Sequence, residues 1–110
     1  MHIRDLPGII DAEVVQGVYE DIEIKGGYTS DLLSDVMAHA QANEVLITIQ
    51  AHRNAVAVAS LVGAPAIILC NGRPVPEDMI EAARGEGIAL IRTDINQYEV
   101  SGRLWKALHG

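Results

Sequence analysis

The sequence predicts a three-layer α/β/α sandwich whose central sheet is mostly parallel. Hydrophobic residues make up 49% of the 110 residues, whereas aromatic residues make up 4% and Phe is absent. A core of Val, Ile, Leu and Ala is typical of a parallel sheet covered by helices on both faces. Short β-branched segments also alternate with segments of helical spacing, and polar residues separate each strand from the next helix. The length suits a single domain over residues 1–110.

The N-terminal part predicts a short helix or turn and then two strands. Residues 3–10 are interrupted by Pro7-Gly8, so we expect at most a short helical piece that covers an edge of the domain. Residues 12–16 and 21–25 are rich in β-branched side chains and are separated by a polar stretch, as a pair of short strands would be. The second strand is expected to end in a turn at Gly26-Gly27.

Residues 29–42 carry the clearest helical pattern, and residues 44–50 form the next predicted strand. Apolar residues recur at three- and four-residue spacing, at Leu32, Leu33, Val36, Met37 and Ala40. Thr29 or Ser30 can cap the first free amides of this helix. We therefore expect its apolar side to face the sheet.

Residues 54–62 alternate like a strand but are predicted to form a helix, because residues 66–70 are another strand and parallel neighbours require a crossover. Asn54 is the expected N-cap, and Gly63 and Pro65 are stop signals. This helix is apolar on every side. We expect the sheet to cover one side and a subunit partner to cover the other.

The remaining elements are a helix over residues 76–84, a strand over 88–91 and a final helix over 95–108. The first of these helices is expected to stop at Gly85 or Gly87, and the last to be capped by Thr93 or Asp94. Gly102 inside the last helix suggests close packing. The apolar residues that this helix is expected to bury, in some combination, are Ile95, Tyr98, Val100, Leu104, Trp105 and Leu108.

Charge and the N-terminal residues limit the class of protein. The net charge of −7 comes from 15 acidic and 8 basic residues, which argues against binding to nucleic acid or to an anionic membrane. No apolar run reaches the roughly 18 residues of a membrane span, and the first residues lack a secretory pattern. The lone Cys70 is expected to be a small buried residue in a reducing compartment, with a reactive or metal-binding thiol as the alternative. We predict a cytoplasmic protein.

Four polar segments are expected to follow strands and open helices, at residues 26–30, 50–54, 71–74 and 92–94. In a parallel sheet these junctions meet at one edge, where ligands bind. Arg53, Arg73 and Arg92 lie in or beside them, so an anionic small molecule is the natural ligand. The predicted ligand-binding residues are Gly27, Thr29, Ser30, His52, Arg53, Asn71, Gly72, Arg73 and Thr93. The alternative is that these residues only cap helices and form turns.

No pattern in the sequence indicates a catalytic site. A Walker A motif, Gly-x-Ser-x-Gly and Cys-x-x-Cys are absent, and Gly26-Gly27 does not extend to a dinucleotide fingerprint. Asp35 and His39 are four residues apart, which is more typical of an ion pair on a solvated helix than of a metal site or proton relay. We predict a non-catalytic domain without a cofactor or a metal.

Three segments, at residues 26–38, 47–59 and 67–76, together resemble the DRTGG domain family over nearly the whole chain. Arg53 and Gly72 match the residues that name the family, whereas His52, Cys70 and Asn71 depart from them. The resemblance implies a fold similar to the N-terminal domain of HPr kinase/phosphorylase. It also implies a regulatory, dimer-forming module of the kind found beside CBS domains, rather than a catalytic unit.

These observations lead to three functional hypotheses. The first is a homodimeric regulatory domain that senses a small anionic ligand, such as a nucleotide or a phosphorylated metabolite. The second is a protein-interaction module that docks on a partner metabolic or redox enzyme without a small ligand. The third is a small enzyme that uses His52 as a general base, which would require a deep pocket around His52.

Overall fold

The computed structural model describes residues Met1 to Gly110 and has a five-stranded sheet in the order β1-β5-β4-β3-β2. Only β1 is antiparallel to its neighbour, so the predicted α/β class and mostly parallel sheet are confirmed. In chain order the elements are a 3₁₀ turn Ile3–Asp5, α1 Leu6–Ile10, β1 Ala12–Gln16, β2 Gly26–Thr29, α2 Leu33–His39, β3 Glu44–Thr48, α3 Arg53–Val62, β4 Ala66–Leu69, α4 Glu77–Glu86, β5 Ala89–Thr93 and α5 Gln97–His109.

The sheet separates two hydrophobic cores of 13 buried residues each. Successive side chains of a strand point to opposite faces. In β3, Ile47 accordingly packs on the side of α1 and α5, whereas Leu46 packs on the side of α2, α3 and α4. Nearly all of the buried hydrophobic residues are Ile, Leu, Val and Ala, as the composition predicts.

The N-terminal segment forms the predicted short helical piece. Ile3, Leu6 and Ile10 are buried in the same core as α5. Arg4 Nη1 holds the segment at the surface by an ion pair of 2.8 Å with Asp21 Oδ2. None of the helices in the structure is both long enough and apolar enough to cross a membrane.

The second strand lies five residues later than the sequence predicted, at Gly26–Thr29 instead of residues 21–25. It pairs in parallel with β3, so Gly26-Gly27 is a strand and not a turn before a helix. A Cβ added to Gly27 would lie 3.0 Å from Leu104 Cδ2 and 3.1 Å from Ile47 Cδ1. Glycine is needed in this edge strand because α5 packs tightly against it.

Helix α2 is shorter than the predicted 29–42, because Thr29 ends a strand and Leu32 is the N-cap residue. Only Val36 is fully buried in this helix. Leu32 and Met37 are exposed, contrary to the prediction. The Ser30 hydroxyl accepts a bond from the Leu32 amide at 3.2 Å, which delays the helix to Leu33.

Helix α3 is confirmed, and it begins one residue before the predicted N-cap. His52 Nδ1 accepts a bond from the Asn54 amide at 3.1 Å, so His52 is the N-cap, and Gly63 ends the helix at φ +76°. Helices α2 and α4 pack on the two flanks of α3, leaving outward residues such as Ala57 and Leu61 exposed. The apolar pattern of α3 therefore does not by itself require a subunit partner.

The C-terminal elements follow the predicted order with shifted ends. Helix α4 runs through Gly85 to Glu86, and Gly87 ends it at φ +67°. Strand β5 includes Thr93, so the cap of α5 is instead Asn96, whose side chain accepts from the Glu99 amide at 2.9 Å. The strand is longer than predicted because Arg92 and Thr93 pair with β1 on its other side.

Helix α5 does not bury its two aromatic residues. Val100 and Leu104 are buried against the sheet, whereas Tyr98 and Trp105 are 89% and 68% exposed. Positions 98 and 105 fall on the opposite side of the helix from 100 and 104. No atom lies within 4 Å of a Cβ added at Gly102, so the close packing predicted there does not occur within the chain.

Candidate functional site

The loops that follow the parallel strands lie side by side, as predicted for the ends of parallel strands. The Ser30 amide donates to Ile47 O at 3.2 Å, the Cys70 amide to Thr48 O at 3.0 Å, and the Gly72 amide to Thr93 O at 2.9 Å. These bonds join each loop to a strand adjacent in the sheet. We call this surface the junction edge, formed by residues 30–32, 49–52, 70–76 and 94–96.

Asp31 links three segments of the chain at the junction edge. Its Oδ1 accepts bonds from Thr48 Oγ1 at 3.0 Å, from the Ile49 amide at 2.9 Å and from Gln97 Nε2 at 2.9 Å. One carboxylate oxygen therefore ties the segment before α2 to the end of β3 and the start of α5. This role of Asp31 was not predicted from the sequence, because an Asp near a helix start is usually explained by capping or by the helix dipole.

The loop between β4 and α4 has an unusual backbone at two consecutive residues. Asn71 and Gly72 have φ values of +64° and +62°. Asn tolerates this left-handed region better than most residues do, and Gly adopts it freely. A Cβ at residue 72 would also approach Asp94 Oδ1 to 2.7 Å. Both the conformation and the available space thus require glycine at Gly72.

Arg92 is occupied by contacts within the chain. Its Nη2 donates to Gly72 O at 2.6 Å, its Nε to Arg73 O at 2.8 Å and its Nη1 to Glu13 Oε1 at 3.0 Å. The first two bonds hold the loop of residues 72–73, and the third joins the guanidinium to Glu13 on β1. Of the three arginines placed near the junctions, Arg92 therefore has a structural role.

Arg53 and Arg73 are much less constrained. Arg73 is exposed, and its side chain makes no hydrogen bond or ion pair. Arg53 Nε lies 4.0 Å from Asp78 Oδ2, and both side chains are mostly exposed. An exposed pair at this distance contributes little to stability. Both guanidinium groups are accordingly available to an anion.

Three of the predicted ligand-binding residues contact other parts of the fold and lie away from the junction edge or are buried. Gly27 and Thr29 are exposed, but a Cβ at Gly27 would meet Leu104 of α5, and Thr29 Oγ1 lies 2.6 Å from Ser101 Oγ on α5. Thr93 is buried, and its hydroxyl donates to Ile10 O at 3.0 Å. The structure brings the other predicted residues to the junction edge or to its margin at the start of α3: Ser30, His52, Arg53, Asn71, Gly72 and Arg73.

The predicted ion pair between Asp35 and His39 is present, with His39 Nδ1 at 3.1 Å from Asp35 Oδ1. The Tyr28 hydroxyl donates to the other carboxylate oxygen at 2.8 Å. The hydrogen bond from Tyr28 is the main cause of a lowered pKa of Asp35, and the bond with His39 adds to this effect. The bond between Tyr28 and Asp35 also raises the pKa of Tyr28. No cluster of three or more His, Cys, Asp or Glu side chains is placed to hold a metal ion.

Cys70 is fully buried in the core on the side of α1 and α5, as predicted for a small apolar residue. Burial, followed by the nearby negative charge of Asp31, raises the pKa of its thiol to about 11. A thiol with this pKa remains protonated at neutral pH, so it is a poor nucleophile and a poor metal ligand.

The grooves of the surface do not favour an enzyme. The largest, of about 740 Å³, is shallow and runs along the outer side of α5, and a second, of about 400 Å³, lies between α3 and α4 beside Arg53. His52 lines none of the grooves. The deep pocket that a His52-based enzyme requires is therefore missing.

Comparison with a solved structure agrees with this fold. The chain is similar to the CBS and DRTGG domains of the regulatory region of Clostridium perfringens pyrophosphatase, a structure in complex with the activator diadenosine tetraphosphate. The TM-score is 0.76 at 15% identity, and the match covers 93% of this chain and 44% of the solved chain. At this identity the likeness shows the fold alone.

Sequence comparison identifies the family. The family model described as HPr Serine kinase N terminus matches residues 46–108, more than half of the chain. A curated relative, HPr kinase/phosphorylase of Streptococcus uberis (strain ATCC BAA-854 / 0140J), is 45% identical over 40 residues, which are 36% of this chain and 13% of the relative. The family is named for the N-terminal part of the kinase, in agreement with the predicted non-catalytic domain. The chain therefore belongs to the HPr Serine kinase N-terminus family, as its resemblance to DRTGG domains implied.

Proposed function

We propose that this chain is a non-catalytic regulatory domain that binds a small anionic ligand, a nucleotide or a phosphorylated metabolite, at the junction edge. The observation that carries the proposal is the pair of accessible arginines, Arg53 and Arg73, beside the ends of two adjacent strands in a chain of net charge −7. The solved regulatory region that shares this fold was crystallised with a dinucleotide activator, which supports a nucleotide as the ligand class.

In the proposed site, some residues bind the ligand by charge and others by hydrogen bonds. Arg53 and Arg73 are the charge partners of the anion, because a guanidinium binds phosphate oxygens through two parallel bonds. Ser30, His52 and Asn71 offer polar side chains at the same edge, and Gly72 lets a ligand approach the backbone. Gly27, Thr29 and Thr93 are left out of the proposed contacts, because Gly27 and Thr29 lie against α5 and Thr93 is buried.

The acidic residues near the site limit what can bind there. Asp78 faces Arg53, and Asp94 lies beside Gly72. A ligand with a single negative charge would gain little against these carboxylates. A phosphorylated ligand with several charges can engage both arginines and displace the weak contact between Arg53 and Asp78.

A thermal-shift screen of nucleotides and phosphorylated metabolites at millimolar concentration tests this function. A ligand that binds only the native state raises Tm, with about 2.7 kcal/mol of stabilisation at 100 times Kd. We expect the rise to disappear in Arg53→Ala and to fall in Arg73→Ala. Arg84→Ala is the matched control, because Arg84 is an exposed arginine on α4 away from the edge. No rise with any compound, or an equal rise in all three variants, contradicts the proposal.

We also propose an oligomeric state, a location and a domain organisation for this protein. We infer a homodimer that is located in the cytoplasm. Each subunit consists of one domain over residues 1–110. The buried, reduced Cys70 suits a reducing compartment.

The second hypothesis, a protein-interaction module, is favoured by a separate observation, the exposure of Tyr98 and Trp105 on α5. It predicts no ligand response in the thermal-shift screen.

A further inference from the structure

Helix α5 presents an aromatic surface that the chain itself does not cover. Tyr98 and Trp105 are among the most exposed large hydrophobic residues of the protein, and with Gly102 they line its largest groove. Aromatic residues in this position are typical of protein interfaces, where their large area contributes strongly to binding. We define the α5 face as Tyr98, Glu99, Gly102, Trp105 and Lys106.

Gly102 is the second unusual feature of this face. A glycine inside a helix costs about 1 kcal/mol relative to alanine. Nothing within the chain requires it, since a Cβ at this position would meet no atom within 4 Å. The absent side chain instead lets another helix approach the α5 axis more closely, because side-chain size at the contact sets the distance between packed helices.

The order of residues around Gly102 is self-complementary. Tyr98 lies four residues before Gly102 and Trp105 three after it, whereas Glu99 lies three before and Lys106 four after. A two-fold axis across the helix at Gly102 therefore brings Tyr98 of one chain to Trp105 of the other. The same operation brings Glu99 to Lys106, so two opposite-charge pairs form for each pair of helices.

Two contacts within α5 prepare this face for binding. The rings of Trp105 and His109 are in contact, with centroids 4.0 Å apart and planes tilted by 39°, which restricts the indole. Glu99 is held by an ion pair with Arg103 one turn later. Side chains that are already ordered lose less conformational entropy when an interface forms.

We propose that the α5 face binds the α5 face of a second copy of this chain, with the two helices antiparallel and crossing at Gly102. This inference rests on the homodimer of the proposed function and names its surface. It differs from the sequence-based expectation, which placed a subunit partner on α3. The interface is isologous, so one patch serves both subunits.

Sedimentation velocity of the whole chain over a micromolar to sub-millimolar range tests the interface without any ligand. The wild type is expected to be a dimer. Trp105→Ala removes a central aromatic residue and should raise the dimer Kd at least about tenfold. Gly102→Gln should do the same by blocking close approach, although glutamine favours the helix more than glycine does and leaves the fold intact.

A charge exchange tests the antiparallel register. Lys106→Glu alone places two carboxylates opposite each other and should weaken the dimer, whereas the double variant Glu99→Lys with Lys106→Glu should restore much of it. Leu61→Arg on α3 is the control and should leave the dimer unchanged. A monomer, or a dimer that Leu61→Arg breaks and Trp105→Ala does not, overturns the proposal. Because no ligand is used, this outcome is independent of the thermal-shift result for the junction edge.

Discussion

The guanidinium of Arg92, near the end of β5, donates a 2.6 Å hydrogen bond to the carbonyl oxygen of Gly72, in the loop that leaves the neighbouring strand β4. The same side chain bonds the next carbonyl, that of Arg73, at 2.8 Å. An arginine that looks like a ligand contact in the sequence is therefore the support of the loop that carries the proposed site. Of its two neighbours along the edge, Arg73 has no side-chain partner and Arg53 has only the 4.0 Å contact with Asp78.

We expect Arg92→Ala to lower the free energy of unfolding by about 1–2 kcal/mol, because it removes charge-assisted bonds from a side chain that is only partly exposed. Arg92→Lys keeps the charge but not the fork, so it should restore only part of this loss. Urea denaturation measures both values. Arg84→Ala, the exposed control, should change stability by less than about 0.5 kcal/mol. Equal stability of Arg92→Ala and the wild type would show that the loop needs no support from β5.

Gly72→Ala is expected to destabilise the fold by at least about 1–2 kcal/mol, since it forces a Cβ into a left-handed backbone and against Asp94. Gly85→Ala is the matched control. Gly85 lies inside α4 with no atom within 4 Å of an added Cβ, so alanine should raise stability by about 0.5–1 kcal/mol. Thermal or chemical denaturation shows whether Gly72→Ala lowers the free energy of unfolding while Gly85→Ala raises it. A neutral Gly72→Ala would mean that the loop relaxes without cost.

Asp31→Ala should cost about 2–3 kcal/mol of stability, because it leaves the Thr48 hydroxyl, the Ile49 amide and the Gln97 amide group without their acceptor. Gln97→Ala removes a single bond and should cost about 1 kcal/mol. The double variant is expected to be clearly less destabilised than the sum of the two, since both changes delete the same contact. Strict additivity in denaturation experiments would rule out this shared contact.

The bond between Tyr28 and Asp35 predicts an acid-dependent contribution to stability. The pKa of Asp35 is lowered below its ordinary value of 3.8 in the folded chain. Its contribution is therefore fully present above pH 3.8 and is lost as the pH falls through the lower folded pKa. In Tyr28→Phe the main cause of the shift is gone, so the pKa of Asp35, followed by NMR of its carboxyl carbon, should rise towards 3.8. An unchanged titration would assign the shift to Ser30 or His39 instead.

The sequence predicted the fold class and nearly all of the elements, because the buried strands β3 and β4 are continuous apolar runs and the helices between them have clear stop signals. It misplaced β2, since glycines at an edge strand read as a turn when the packing of Leu104 is unknown. It also misjudged α5, where apolar residues occur on opposite sides and only the tertiary structure decides which side faces the sheet.

The candidate site was predicted in outline and not in detail. The meeting of the strand ends follows from parallel topology, which the sequence indicates. The hydrogen bond between Asp31 and Gln97 joins residues that are 66 positions apart in the chain. The hydrogen bond from Arg92 to Gly72 joins residues that are 20 positions apart. Hydrogen bonds over such separations leave no local pattern, so neither role could be assigned before the fold was known.

The most direct test of the regulatory function is an amide NMR titration of the chain with a dinucleoside polyphosphate. We expect the amide signals of residues 30–32, 52–54 and 71–73 to shift and to saturate with ligand concentration, and we expect Arg53→Ala to abolish the shifts. Signals of α5 should stay in place apart from those near Gln97, which bonds Asp31. No shifts at millimolar ligand, or shifts confined to Tyr98, Gly102 and Trp105, would contradict an anion site at the junction edge.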